Sequence, residues 1–559
     1  MDVSSVHDRR WWALAVMCLS LLVIGLDNTI LNVALPALVR DVHASTSSLQ
    51  WIVDGYTLVF AGLLLTTGSL GDRFGRKGAL STGLAIFCVG SAASAFAGSA
   101  DALIFTRAFM GIGAALIMPA TLSLLTNIFS DPKERGRAIG VWAAVAGAGG
   151  AIGPVLGGFL LQHFWWGSVF LVNVPVTLVA LVAGRVLLPS SKDPSAPRLD
   201  PIGALLSIAG LVALLWAIIE APTKGWNSSS VVIGLIAGVG VLAGFVLWEI
   251  TCDHPMLDVR FFKNRRFSAA NAAITMVFFA MFGASFLITQ YLQTVLGFSA
   301  LEAGLRMLPM AIVLLLVAPI SPRFVERIGT KLVVGTGLLL AAAGLILVST
   351  VPIADGYPHL LAGMLVLAVG MGLVMAPATE SIMGSLPPNK AGVGSAMNDT
   401  TRQMGGALGV AVIGSVLASS YRPAVADRLT AMHAPSDVVN AARDSIGGAI
   451  DAAGSLAEPM RTNVIGAARL EFVNSFGGAL MVGALILLVA AAVAFAFLPA
   501  RAGDAREPVE GALDGIASLT FAEAEGQLEE DAETAQVAEV GASHAAAATE
   551  PAYAESSAP

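Results

Sequence analysis

The chain has 559 residues, of which 56% are hydrophobic and only 13% charged. A soluble chain of this size would carry about a quarter charged residues, and its mean hydropathy of +0.78 excludes an ordinary water-soluble fold. The formal charge of -8 hides an asymmetry: 13 acids and two arginines from Arg501 onward give that tail about -11, leaving about +3 for the rest. No clustered basic face suggests nucleic-acid binding.

The apolar residues come in blocks of roughly 20, enough to cross a bilayer as helices. Fourteen spans are expected, near 12–35, 49–70, 78–98, 102–125, 138–161, 168–188, 201–220, 230–250, 268–290, 303–321, 331–351, 358–381, 391–418 and 472–498. The opening HDRRWW leads into a full-length first span without a small-residue cleavage site, which reads as a retained helix. With the N-terminus inside, the inner segments hold 19 Lys and Arg and the short outer loops three, Arg40, Lys224 and Arg306. That bias predicts both termini in the cytoplasm. Cys18 and Cys88 lie in spans and Cys252 in an inner loop, so no disulfide framework is expected.

Span 1 contains LLVIGLDNTILNVALP (21–36), apolar except for the acid Asp27 and small polar neighbours. An ionised carboxylate at membrane depth costs several kcal/mol unless it meets water or a partner. Asp27 is expected to hold a proton until a lipophilic cation displaces it; bonding to Asn28 or Asn32 is the structural alternative. Asp54, in QWIVDGYTL of span 2, reads either as a second coupling acid or as an interfacial one.

GSLGDRFGRK (68–77) closes span 2, and ERIGTK (326–331) closes span 10. Asp72-Arg73-Phe74-Gly75-Arg76-Lys77 aligns with Glu326-Arg327-Ile328-Gly329-Thr330-Lys331, 254 residues later. Two six-helix halves separated by two extra helices explain that offset, and such repeats mark transporters in which one half rocks against the other. The turns read as gates whose ion pairs form in one state, against a plainer reading as positive-inside loops.

Arg107 is the one basic residue within span 4 and demands a partner. In span 5, Gly149, Gly153 and Gly157 recur every four residues, forming a groove for a neighbouring helix, with Pro154 opening the backbone ladder. Read as a nucleotide loop, GAGGAIG lacks the strand that should precede it. Glu380 and Asp399, in spans 12 and 13, are candidates to line a cavity; Asp399 has the alternative of a local pair with Arg402. Trp51, Tyr56, Phe278, Phe282 and Tyr291 are aromatic candidates for cradling flat cations. The stretch 420–470 is long, polar and expected outside, with helix starts at Pro423, Ser436 and SLAE (455–458), predicting a short helical hairpin. The Ala/Glu-rich tail is expected to be disordered apart from a transient helix over 527–540.

Four stretches together resemble the major facilitator superfamily, specifically its 14-helix drug:proton antiporters. LDNTILNVALP (26–36) resembles the family's helix-1 motif. GSLGDRFGRK resembles its loop motif at Gly68, Asp72, Arg73, Gly75, Arg76 and Lys77. LIFTRAFMGIGAA (103–115) resembles the helix-4 motif through Arg107 and Gly111. GGAIGPVLGG resembles the helix-5 antiporter motif through Gly149, Gly153, Pro154, Gly157 and Gly158. FWWGSVFLVNVPV (164–176) and residues 378–415 resemble the quaternary-ammonium exporter (QacA-type) branch. Many relatives have Trp-Arg-Trp where this chain has Phe164-Trp165-Trp166, so that arginine has no counterpart here.

The resemblance implies an all-α major facilitator fold: a six-helix bundle over 1–190, two inserted helices over 191–266, and a second bundle over 267–498 with the hairpin, then an acidic tail over 499–559. It implies a multi-pass protein of the plasma (inner) membrane, expected to act as a monomer. Its partners would be hydrophobic or cationic drugs, dyes and antiseptics exchanged for protons, in contact with the bilayer, with Arg107 in a proton relay. A dedicated exporter of a lipid or secondary metabolite, or an uptake symporter, would use the same fold. Seven His and three Cys show no metal spacing, and no nucleophile–base motif appears, so neither cofactor, metal nor enzymatic activity is expected.

Overall fold

In the computed structural model every regular element among the described residues is helical, which follows from a chain whose backbone groups must be satisfied within each apolar segment. The structure describes residues 3–129, 131–192, 200–353, 356–386 and 391–499; the acidic tail and its expected helix lie outside them. The first group comprises α1 (Val3–Val42), α2 (Thr46–Phe74), α3 (Arg76–Ala95), α4 (Ala100–Ile128), α5 (Pro132–His163), α6 (Ser168–Leu171) and α7 (Asn173–Leu187). Two more follow, α8 (Pro201–Lys224) and α9 (Ser229–Thr251). The second group comprises α10 (Arg265–Gln290), α11 (Ala300–Val317), α12 (Ser321–Ile328), α13 (Thr330–Ser349), α14 (Tyr357–Met383), α15 (Ala391–Ala431), α16 (Ser436–Asp444), α17 (Ile446–Ala453) and α18 (Met460–Phe497).

Among the described residues, 12 helices are long and apolar enough to cross a membrane. The 29-residue α2 and 32-residue α5 stand in chain order where the second and fifth spans are expected. Helices α2, α3, α8 and α9 start behind side-chain caps or a glycine break: Ser45 and Ser228 accept from Ser48 and Val231, and Asp200 accepts from Gly203. Lipid-facing sides keep apolar residues exposed, such as Phe105 on α4 and Ile233, Ile236 and Val239 on α9.

Helix α1 packs against α5 and α7, and α3 against α4 and α7; in the second group α10 packs against α15 and α18, and α13 against α14 and α18. Helix α8 lies against both α2 and α15. Its Ile208 fills the space beside Gly62, and its Ile218 carbonyl accepts from Ser415 Oγ at 2.8 Å. Helix α9 packs on α8.

Several ends differ from the sequence expectation. Helix α18 begins at Met460, not near 472, and α15 runs to Ala431. These extensions are polar, so hydropathy reads them as loop, but they are held by Arg428–Glu471 at 2.6 Å and by Arg469 Nε donating to the Thr294 carbonyl at 2.9 Å. Pro423 lies inside α15 instead of starting a helix, and Ser455–Glu458 forms a turn before α18. Between them α16 and α17 form two short helices. Thr46 Oγ1 reaches the Asp444 carbonyl at 2.8 Å, and Gly447 sits against Val39, so this pair touches the first group as well as the second.

Candidate functional site

Asp27 and Arg107 meet. The Arg107 Nη1 group donates to Asp27 Oδ2 between α1 and α4, with both side chains at most 1% exposed. Three further features hold the guanidinium. Its Nε donates to the Ile52 carbonyl at 3.2 Å, and its carbon sits 4.3 Å from the Tyr56 ring centre and 5.9 Å from that of Phe170. A cation over an aromatic face away from water gains about 2 kcal/mol. On the other side, Asn173 Nδ2 donates to Asp27 Oδ1 at 3.3 Å and lies 3.2 Å from Ser91 Oγ, which itself donates to the Phe170 carbonyl at 2.8 Å. Helices α1, α2, α3, α4 and α7 each contribute to this closed polar cell. It is charge-balanced but not fully satisfied, since the Tyr56 hydroxyl and Asn173 Oδ1 have no hydrogen-bond partner.

The expected alternative for Asp27, a bond to Asn28 or Asn32, is not what the structure shows. Asn173 was missed by sequence reasoning: an uncharged amide in an apolar run gives only a weak signal. Tyr56, expected among the aromatics that cradle a cation, has the Arg107 guanidinium over its ring.

Asp54, on α2, is fully buried, and neither carboxyl oxygen has a hydrogen-bond partner. It is therefore an acid enclosed by protein without a donor, whatever its depth in the bilayer, and an orphan of this kind calls for an explanation. Asp399 does form the local pair: it lies 3.8 Å from Arg402 one turn along α15, both partly exposed. Arg402 Nη2 also donates to Thr379 Oγ1 at 3.2 Å, Thr379 reaches Asn398 Oδ1 at 3.3 Å, and the guanidinium carbon lies 5.4 Å from the Phe278 ring. Phe278 stacks on Phe282 with centres 6.2 Å apart. Glu380 is exposed on α14 and makes no ion pair among the described residues. Of the remaining aromatics, Tyr291 is buried with its hydroxyl on the Pro352 carbonyl at 2.6 Å, and Trp51 packs with α8.

The glycine groove of α5 seats α1 within a turn of Asp27. A methyl group on Gly149 would lie 3.0 Å from the Gly25 Cα, one on Gly157 2.7 Å from Ile30 Cγ1, and one on Gly153 would collide with Thr29 Oγ1. The same helix meets the second group: Gly158 faces the Ala300 carbonyl and the Leu301 backbone of α11, and Gly304 of α11 faces the Pro154 carbonyl. So the motif is a two-sided seam. One side holds α1 and the other α11.

The repeated turns share a geometry. Gly75, with φ +124°, separates α2 from α3, and Gly329, with φ +87°, separates α12 from α13, each a conformation that glycine adopts without strain. Arg76 N donates to the Ser191 carbonyl at 3.0 Å, and Lys77 Nζ donates to the carbonyls of Arg185 and Leu188 at 2.8 and 2.7 Å. These bonds run to the last turn of α7 and the stretch that follows it, within the same group. Arg73, Glu326 and Arg327 are exposed, and Gly68 lies beside Pro119; the side chain of Asp72 is outside the described residues.

Hydrogen bonds between the two groups occur, among the described residues, at the end opposite the 68–77 turn. Gln50 Nε2 donates to the carbonyls of Val410 and Ala411 at 3.1 and 2.9 Å, and Gln293 Nε2 to that of Val33 at 2.9 Å.

Comparison with known proteins agrees with this geometry. The Major Facilitator Superfamily profile matches residues 17–410. The chain is 37% identical to the multidrug efflux pump LfrA of Mycolicibacterium smegmatis, over 87% of this chain and 95% of the relative. It is 35% identical to the tetracenomycin C resistance and export protein of Streptomyces glaucescens, over 91% and 95%. With the methyl viologen resistance protein SmvA of Salmonella typhimurium it shares 33%, over 88% and 99%. Among solved structures, a bacterial homolog of the lysosomal transporter Spinster aligns with a TM-score of 0.60 at 17% identity, covering 88% of this chain and 98% of that one. A D-xylose–proton symporter aligns with 0.56 at 14%, covering 87% and 97%. At such identities the likeness is one of fold. The chain is a multi-pass membrane protein and belongs to the major facilitator superfamily.

Proposed function

We propose that this protein is a proton-coupled antiporter that exports hydrophobic and cationic drugs, dyes and antiseptics by alternating access. The observation that carries the reading is the sealed Asp27–Arg107 pair, clamped by the α5 seam whose other side holds α11. Relatives named for multidrug efflux and for resistance to methyl viologen and tetracenomycin C supply the substrate class.

In the state seen, the groups are bonded together at the end opposite the 68–77 turn. The Lys/Arg bias assigns the turn to the cytoplasm and both termini with it. Substrate then enters from the cytoplasm, between the groups, with the outer end shut. Asp27 has two claimants, Arg107 and a hydrogen ion. When the halves tilt, α11 shifts on its side of the α5 seam, the displacement passes through α5 to α1, the pair loosens, and a hydrogen ion from outside takes the guanidinium's place. Asp54 is the second carrier, since its carboxyl has no donor in this state. Asp399, facing Phe278 through Arg402, attracts the cation.

Exchange of one proton for one monovalent cation is electroneutral and draws only on the pH gradient, about 1.4 kcal/mol per unit. Two protons add the voltage, about 2.3 kcal/mol per 100 mV. Reconstituted protein should expel ethidium against its gradient when the lumen-to-bath pH difference is imposed, and should move protons the other way. Undiminished uphill transport after that difference is collapsed would refute the coupling. The Streptomyces relative, named for tetracenomycin C resistance and export, favours one second reading, a dedicated exporter of a lipid or secondary metabolite; failure to move any simple dye, with gradient-driven transport of such a compound, would select it.

A further inference from the structure

A cavity of about 530 Å³ opens on the face that carries the 68–77 turn, between the first turn of α3 and the last turn of α7. Phe74, Gly75, Lys77, Arg185, Ser191 and Lys192 line it, and no acid does among the described residues. Lys77 is fixed there by the carbonyls of Arg185 and Leu188, which brings its charge to the rim. Arg185 and Lys192 are exposed and have no acidic partner among the described residues. Ser191 Oγ is shielded from water with no hydrogen-bond partner. The start of α3 adds the positive end of its dipole. Three cations, a spare hydroxyl and a helix start make a receptacle for an anion with several acceptor oxygens.

The wall below it is greasy. Leu178, Val182 and Arg185 lie on one stripe of α7, three to four residues apart. Leu178, Val179, Val182 and Val186 are 47, 58, 65 and 56% exposed, as expected of a lipid-facing surface. A soluble phosphate would use the cationic end alone. A phospholipid would use both, with its headgroup phosphate among Arg185, Lys192 and Ser191 and an acyl chain along the valines.

We propose that this cavity binds the phosphate of an anionic phospholipid, bracing the 68–77 turn against the end of α7. Each basic residue near an anionic surface contributes about 1 kcal/mol, so removing two should weaken binding at least about tenfold.

The test is native mass spectrometry of the full-length protein in detergent, titrated with phosphatidylglycerol or phosphatidylcholine of the same acyl chains. Wild type should retain phosphatidylglycerol at least about tenfold more tightly, and the R185Q/K192Q double variant should fall to the phosphatidylcholine level. The charge-preserving R185K/K192R variant should bind as wild type does. The R323Q variant, an exposed arginine on α12, should be unaffected. Equal loss in R323Q would make the effect one of general surface charge and overturn the proposal. Displacement of the lipid by inorganic phosphate, with phosphate itself bound equally well, would assign the cavity to a soluble anion and overturn the lipid. Should the double variant not fold, K192Q, in the segment beyond α7, keeps the test: about fivefold weaker phosphatidylglycerol binding is expected, and none overturns it.

Discussion

Replacing Asp27 by Asn keeps the side chain's shape and removes its charge. The Arg107 guanidinium, 1% exposed, then has no counter-ion. Removing one partner of a buried pair costs about 3–5 kcal/mol because the other charge stays buried. Part of the cost is offset, since Arg107 keeps the Ile52 carbonyl at 3.2 Å and the Tyr56 ring at 4.3 Å. A loss near the lower end, about 3 kcal/mol, is therefore expected. Arg107→Gln should cost less, because Asp27 can take up a hydrogen ion in place of the guanidinium while Asn173 stays at 3.3 Å. The double variant removes both charges and should be no less stable than either single variant. The assay is a double-mutant cycle on thermal unfolding of the detergent-solubilised protein, run beside ethidium efflux in vesicles. All three variants should lose gradient-driven efflux. Strictly additive stability losses would mean that the two side chains do not interact energetically, and the account of the site would fail.

Asp54→Asn supplies the contrast: no partner is lost, so stability should stay within about 1 kcal/mol of wild type while gradient-driven efflux falls, as vesicle assays at two pH values can show. Gly153→Ala should clash with Thr29 Oγ1 and cost about 1–3 kcal/mol, with partial recovery in Gly153→Ala/Thr29→Ala; a thermal shift that ignores Thr29 would contradict the seam. Gly75→Ala should destabilise by about 1–2 kcal/mol through its positive φ, whereas Gly78→Ala, with open space around it, should be neutral; equal shifts in melting would count against the turn geometry. Gln50→Ala removes bonds to two carbonyls of α15, about 1 kcal/mol each, and should raise labelling of a cysteine introduced at Ser415 from the side of the hairpin; unchanged labelling would show that Gln50 does not hold that end shut.

The sequence made the apolar spans and the glycine spacing of α5 readable because both are periodic. It singled out Asp27 and Arg107 separately, since a charge in an apolar run is conspicuous wherever it falls. Their pairing was not readable: 80 positions and two other helices separate them, and only packing brings them together. Asp54's isolation was hidden for the same reason, because lacking a partner is a property of its neighbours. The polar starts and ends of α15 and α18 misled in the opposite sense, since hydropathy equates polar with loop, while these helices are stabilised outside the apolar zone by Arg428, Glu471 and Arg469.

Helix α8 has a mechanical consequence. It is wedged by Ile208 against Gly62 of α2 and tied by its Ile218 carbonyl to Ser415 of α15, with Trp226 just beyond it bonded to Ser419 at 3.1 Å. A strut fastened to both jambs cannot stay fastened while the door swings. In the alternating-access cycle proposed above, α8 must part from one of the two groups on every turnover, which makes this helix a latch between them.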